Sequence, residues 1–234
     1  MKRKSRFFPT LILLGFLCGA FFLAVLRLDF FTIRQIEVTG PKRISPKEIL
    51  KRSGLRPDIN MFSFLESSLT EEILKNPWIT SAHIKRELPG KVIIEIKEIE
   101  PFCLVLMENG ELYYMSKTGE KLGYANFNDG LDFPVLTGEV IMSPDLLAGA
   151  LEILKLSLES PTLNWSEISE INLNSVYGLT VLTTDGRRID FGESKIPEKW
   201  YKVEKIITHA RGINLTEKYI NISSGKIGVV DFKL

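Results

Sequence analysis

The clearest hydrophobic pattern in the chain begins at Lys91. Val92, Ile94 and Ile96 fall on one side of an extended segment, and Lys91, Ile93, Glu95 and Lys97 fall on the other. The run from Trp78 to Arg86 precedes it, and Leu88-Pro89-Gly90-Lys91 between them places Pro and Gly at the centre of a type II turn. A hairpin follows, with one face that needs cover.

Two helices just upstream supply that cover. Ser45-Pro46-Lys47-Glu48 is a capping box with proline at the first helical position, starting a helix that runs to about Arg52 and stops at Gly54. Ser68-x-x-Glu71 reads as a second box, leading through Ile73 and Leu74 to Pro77, with the apolar connection Asn60–Leu65 in between. Before both, Thr32–Val38 reads as a strand with Ile36 and Val38 on one face; Ile33 is out of phase and implies a bulge or twist. The order is strand, helix, helix, strand, strand.

The second half is richer in strands. Val105–Met115 and Glu120–Tyr124 read as a hairpin across Asn109-Gly110. Ser143-Pro144-Asp145 opens a helix to about Ser160, which Pro161 ends. Strands at Ile168–Leu173, Leu179–Thr183 and Arg188–Phe191 follow, the last two joined by Asp185-Gly186. Pro197 starts a final helix that Gly212 closes, and Lys218–Phe232 holds two strand-like runs around Ser224-Gly225.

At the other end, the twenty residues from Phe7 to Leu26 carry no charge. As a helix they rise about 30 Å, the thickness of a bilayer's hydrocarbon core. Lys2, Arg3, Lys4 and Arg6 precede them without an acid, so the positive-inside bias puts the N-terminus in the cytoplasm and the remainder outside. A cleaved signal peptide fits less well, because Phe21–Leu26 continues apolar beyond Gly19-Ala20. Lipoprotein processing at Cys18 lacks a small residue at Leu17, and a buried core helix would not explain the basic flank.

Composition changes this picture little. The 234 residues are 44% hydrophobic and 25% charged, with a formal net charge of +1, so no whole-chain field draws the protein to nucleic acid. Cys18 and Cys103 do not make a disulfide framework. His83 and His209 have no ligand cluster at metal spacing. Ser67-Ser68 and Ser223-Ser224 lack a nucleophile elbow or a Ser-x-x-Lys motif and suit caps and turns; Glu95, Glu98 and Glu100 suit a solvated edge better than a hydrolase's paired acids. Trp78 and Trp200 read as core anchors. Trp78, with Lys85 and Arg86 just before the hairpin turn, is also a candidate docking surface. Neither an enzyme, a cofactor, a metal nor a small-molecule substrate is expected.

These residues carry a resemblance. Ile36-Glu37-Val38-Thr39-Gly40, the capped helix, Asn60-Met61-Phe62 and the Asn76–Pro101 hairpin are similar to a POTRA (polypeptide-transport-associated) domain. With one anchor helix before it, the whole chain resembles the bacterial cell-division family FtsQ/DivIB. That family's hairpin reads Pro-Trp-Val, a small residue, Arg-Arg-x-Pro, then a run ending Glu-Arg-x-Pro. Here stand Pro77-Trp78-Ile79, Ala82, Lys85-Arg86-Glu87-Leu88-Pro89 and Glu98-Ile99-Glu100-Pro101, with Ile99 where arginine is common. Phe133-Pro134-Val135-Leu136-Thr137-Gly138 is similar to the family's Leu-Pro-x-Leu-x-Gly, and Phe191-Gly192 to its Leu-Gly.

The resemblance implies an α+β fold: tail 1–6, transmembrane helix 7–27, POTRA domain 31–100 of order β-α-α-β-β, and a mainly β domain 101–234. It implies a non-enzymatic scaffold of the division septum in the bacterial inner membrane, with its C-terminus in the periplasm. Its partners would be FtsB, FtsL and other membrane division proteins. FtsB would add a strand at the terminal sheet edge, where the family reads Tyr-x-Asp-x-Arg-Tyr and a Gly, and this chain reads Tyr219-Ile220-Asn221-Ile222-Ser223-Ser224-Gly225. The other expectation for a POTRA module is a receptor in outer-membrane assembly or secretion, which the absence of a series of barrel strands disfavours.

Overall fold

Strands β2 (Ile79–Glu87) and β3 (Lys91–Glu98) form the hairpin that the alternation predicts, antiparallel from Ile79↔Glu98 to Glu87↔Lys91. The computed structural model describes residues 7–26, 29–126, 132–140, 143–224 and 227–233. The basic tail 1–6, Arg27 and Gly225, which enter the expectations above, lie outside them. Chain contacts divide into two compact units, Met1–Ile99 and Glu100–Leu234.

In the first unit β1 (Gln35–Thr39) adds parallel to β3, giving the order β1-β3-β2. Val92, Ile94 and Ile96 turn inward and are covered by Ile49 of α2 (Pro46–Ser53) and Ile73 of α3 (Glu66–Leu74). Burial of each such side chain is worth about 1.5–3 kcal/mol, so this small core is the unit's main source of stability. Ser45 caps α2 by accepting from Glu48 N–H, and Gly54 closes it at φ 68°.

Three local expectations need correction. The hairpin turn is not type II: the Leu88–Pro89 peptide is cis, and Gly90 lacks the positive φ that a type II turn demands. Gly90 instead lets the chain before β1 come close, its carbonyl accepting from Arg34 N–H (2.7 Å) and Gln35 N–H (3.2 Å); a Cβ there would meet Thr32 O at 2.6 Å. Ile33 marks no bulge. It lies before the strand, fully buried, exchanging backbone bonds with Asp58 and Ile59. Ser68 caps nothing either, because α3 already starts at Glu66 with Leu65 at its cap position.

A carboxylate joins the ends of this unit. Glu98 Oε1 accepts from Lys42, Arg43 and Ile44 N–H at 3.0, 3.0 and 2.9 Å, and its Oε2 from Arg43 N–H at 3.0 Å. Charged acceptors of this kind contribute about 1.5–3 kcal/mol per bond when shielded, less when water competes. We expect Glu98→Ala to cost about 2 kcal/mol and Glu98→Gln, which keeps one acceptor, about half of that, read from chemical denaturation.

The second unit is one nine-stranded sheet, ordered β12-β11-β10-β9-β8-β7-β4-β5-β6. β4 (Cys103–Leu106), β5 (Leu112–Met115) and β6 (Lys121–Tyr124) make a meander, so the expected single hairpin is two. β7 (Val135–Gly138) and β8 (Ile168–Asn174) run parallel to β4, with α4 (Pro144–Ser157) as the crossover between them. The helix ends before Ser160 because the Ser160 hydroxyl starts a turn, accepting from Thr162 and Leu163 N–H. β9 (Gly178–Thr183) and β10 (Arg188–Gly192) form a hairpin, and α5 (Ile196–Gly212) carries the chain back to β11 (Glu217–Asn221), parallel to β10. β12 (Val229–Phe232) closes the sheet antiparallel to β11.

Both helices of this unit pack on one face of its sheet. Leu151, Ile153 and Leu154 of α4, with Trp200, Val203 and Ile207 of α5, meet Leu136, Ile171, Val181, Ile189 and Ile220. Phe191 is fully buried and stacks on Trp200 at 6.1 Å. Cys103 lies in this core, and burial pushes its thiol up to about 12.

The uncharged N-terminal segment is helical over its whole length, as α1 (Phe7–Leu26). Its side chains are described for residues 12–21. Among the residues whose side chains are described, which in α1 are ten, no helix is long and apolar enough to cross a membrane.

Candidate functional site

The strand that holds the first part of the Tyr219–Gly225 run, Tyr219–Asn221, does not lie on the edge of the sheet. Tyr219, Ile220 and Asn221 belong to β11, which is hydrogen-bonded on both sides. Ile222 N–H donates to Asp190 O of β10, so by alternation Ile220 also faces β10, while Tyr219 and Asn221 direct their main-chain groups to β12. The backbone of Tyr219–Asn221 is thus engaged on both sides. The edge is β12. Lys233 N–H bonds Thr216 O, so Asp231 and Val229 spend their backbone groups on β11, and those of Val230 and Phe232 point away from the sheet.

The side chains of the predicted run do something else. On the sheet face opposite the two helices, Tyr219 Oη donates to Asp190 Oδ2 (2.7 Å) and accepts from Asn221 Nδ2 (2.8 Å). Asp190 Oδ1 takes Thr180 Oγ1 (2.8 Å) and Arg188 Nε (3.0 Å), and the Arg188 guanidinium lies 6.0 Å from the Tyr219 ring. Asn221 Oδ1 accepts from the N–H and hydroxyl of Ser223. Ser224 Oγ donates to Ile227 O across the turn into β12. Three strands are therefore stitched on their uncovered face, beside the free edge.

Burial works against the charge of Asp190, and the hydrogen bonds from Tyr219, Arg188 and Thr180 outweigh it, holding the carboxyl below the usual range. A depressed carboxylate stabilises the fold above its unfolded value, and that contribution fades as pH falls through the folded value. Tyr219→Phe removes one donor. It should move the Asp190 titration upward by carboxyl-carbon NMR and cost about 1 kcal/mol at neutral pH, vanishing in acid.

The second candidate surface separates into parts. Lys85 pairs with Glu95 at 2.6 Å and stays half exposed. Arg86, on the opposite face, is a clasp: Nε donates to Met61 O (2.7 Å), Nη2 to Phe64 O (2.9 Å) and Nη1 to Glu66, with the Phe64 ring 4.6 Å away. Trp78 is at the far end of the hairpin, against the core, with Arg43 5.6 Å from its ring. Adjacent residues on a strand point to opposite faces, and Trp78 is about seven residues or 23 Å from Lys85, so the three do not share one surface. Among the described residues no group of three or more His, Cys, Asp or Glu is arranged to hold a metal ion.

Residues 31–98 match the family described as POTRA domain, FtsQ-type, and residues 104–233 match Cell division protein FtsQ/DivIB, C-terminal. The chain belongs to the FtsQ/DivIB family. It is 34% identical over 162 residues to the cell division protein FtsQ of Geotalea daltonii, covering 66% of this chain and 58% of that protein. With FtsQ of Anaeromyxobacter sp. the identity is 29% over 189 residues, 77% of this chain and 63% of the relative. DivIB of Clostridium tetani is 34% identical over 86 residues, 37% of this chain and 32% of that protein. The matches thus span less than two thirds of these relatives' length.

Within an FtsQ-type chain the motif glycines now have physical reasons. Gly138 has φ +81°, and a Cβ on it would stand 2.2 Å from Leu173 O of the neighbouring strand. Gly192 has φ +69°, where side chains are strained. Val230 and Phe232, which the structure puts on the edge strand, are not among the residues that the sequence singles out. The signal for them was present: a helix returning to a parallel strand makes the next antiparallel run the outermost one.

Proposed function

We propose that this protein is a non-enzymatic scaffold of the division septum that holds FtsB, and through it FtsL, by strand addition to the free edge of β12. The observation that carries this reading is the main-chain groups of Val230 and Phe232, turned outward from the last strand of the sheet. Unpaired edge groups are a template for an incoming extended segment, and the exposed Val229 and half-buried Val230 offer it apolar contact. The stitched face of Tyr219, Asn221, Asp190 and Arg188 beside that edge supplies the polar contacts, in place of the acid, arginine and tyrosine of the family's run. Lys85, exposed on the POTRA hairpin, is a candidate contact for other membrane division proteins.

The same proposal includes anchorage. Phe7–Leu26 is helical and carries no charge, which suits a single pass through the inner membrane with a cytoplasmic basic tail and a periplasmic C-terminus. Confining both partners to one membrane raises their effective concentration, so a short β contact suffices.

The test is binding of the full chain in lipid nanodiscs to a membrane-anchored FtsB from the same organism. Val230→Pro removes an outward N–H while leaving the β11 ladder intact, and should weaken binding at least about tenfold, since two or more edge bonds and the strand's fit are lost together. Unchanged affinity in a variant with native circular dichroism would rule out the β12 edge.

A further inference from the structure

One end of the POTRA unit exposes apolar side chains that its core does not use. Phe30, Phe62, Leu65 and Leu88 are 57, 42, 70 and 64% exposed. Ring contacts and hydrogen bonds bring them to one end. Phe30 meets Phe31 edge to face (5.2 Å), Phe31 meets Phe62 (5.3 Å), and Met61 N–H bonds Phe31 O. Arg86 joins that cluster to the start of α3, beside Leu65, and to the hairpin tip that carries Leu88. Exposed clusters of this kind mark an interaction surface.

Most neighbouring charges are spent on each other, and the exposed Arg34, beside Gly90, and Asp29, beside Phe30, add one charge of each sign. Arg86 pairs with Glu66, and Lys91 with Glu37 and Glu87. The surface is therefore apolar with a neutralised rim, which suits neither an acidic nor a basic partner. Its place in the chain names the occupant. Only residues 27–29 separate the end of α1 from Phe30, a reach of at most about 14 Å for four extended steps.

We propose that this end of the POTRA unit seats on the periplasmic leaflet of the membrane, with Phe30, Phe62, Leu65 and Leu88 entering the headgroup and acyl boundary. The proposal rests on the membrane-anchored reading above. Apolar insertion, with a rim whose basic and acidic charges balance, makes the contact independent of anionic lipid. Seating would hold the domain in one orientation at the bilayer surface.

The test uses the full chain in vesicles of zwitterionic phosphatidylcholine doped with nitroxide-labelled lipid, reading quenching of an environment-sensitive fluorophore on single cysteines. Native Cys18 reports α1; Cys103, buried in the core, stays unlabelled. In a Cys18→Ala background, Leu65→Cys and Leu88→Cys report the seat. Lys42→Cys, bonded at the Glu98 end of β3 and about 23 Å along that strand from the tip, is the distant control.

Deep quenching at Cys18, with quenching at 65 and 88 about twofold or more above that at 42, is the expected result. Quenching at Cys18 with 65 and 88 no different from 42 overturns the seat and leaves the span standing. No quenching at Cys18 removes the span, and the seat with it. A triple change of Phe30, Leu65 and Leu88 to serine, with fluorophore on Phe62→Cys, should abolish the signal at 62 while circular dichroism stays native. Retained quenching there also overturns the proposal.

Discussion

Glu217→Ala should lower the stability of the C-terminal unit by about 3 kcal/mol, roughly 10 °C in Tm. Glu217 is 1% exposed and stands 3.4 Å from Arg187 Nε, whose side chain is 10% exposed. Removing one member of a buried pair strands the other charge, and this costs more than the pair itself contributes. Asp185, 3.5 Å from the same guanidinium but half exposed, compensates only in part. The pair sits where β10, β11 and β12 end together, with Lys233 donating to Asp185 O at 3.0 Å. A double change, Arg187→Met with Glu217→Leu, should recover most of the loss, because no charge is then left unpaired. Thermal unfolding of the two variants decides the matter: a double variant as unstable as the single one would refute the ion-pair account.

Gly138→Ala should cost about 3 kcal/mol or more, since left-handed backbone and a clash with backbone act together. The neighbouring atom, Leu173 O, belongs to the adjacent β8 strand and accepts Glu139 N–H, so it has no room to retreat. Gly110→Ala and Gly186→Ala separate the two causes. Both sit at positive φ, +81° and +83°, with nothing within 4 Å of the added carbon. Each should cost only about 1 kcal/mol, the conformational part alone. Urea titrations of the three variants give the comparison, and equal losses would show that the approach to Leu173 is irrelevant.

Local features of this fold were legible in the sequence. The Ser45 cap, the Gly54 stop and the Val92, Ile94, Ile96 face involve residues within a few positions of each other, so spacing alone reveals them. What misled was everything decided at long range. The Ser68 pattern suits a cap but is equally comfortable inside a helix that starts two residues earlier. The hairpin tip takes its shape from Thr32–Gln35, more than fifty residues away in sequence, which dock on Gly90. The run Tyr219–Asn221 has the composition of a strand, but composition does not say which strand is outermost. That depends on α5 returning the chain alongside β10. The network of Thr180, Arg188, Asp190, Tyr219 and Asn221 was likewise invisible, because its partners come from three strands and meet only once the sheet is ordered.

The segment that docks on Gly90 also determines how the POTRA unit bears tension. A pull along the chain from α1 reaches Phe31, whose carbonyl accepts Met61 N–H, then Ile33, fastened by its N–H to Ile59 O and by its carbonyl to Asp58 N–H, and then Arg34 and Gln35, both bonded to Gly90 O. Behind them lies the parallel ladder of β1 with β3, the central strand of the sheet. Force entering there loads these bonds side by side, so several must rupture at once, and the strain passes into the middle of the sheet without peeling it from its rim. A chain built this way transmits a tug on its N-terminal helix to the rest of its first unit as a stiff mechanical link.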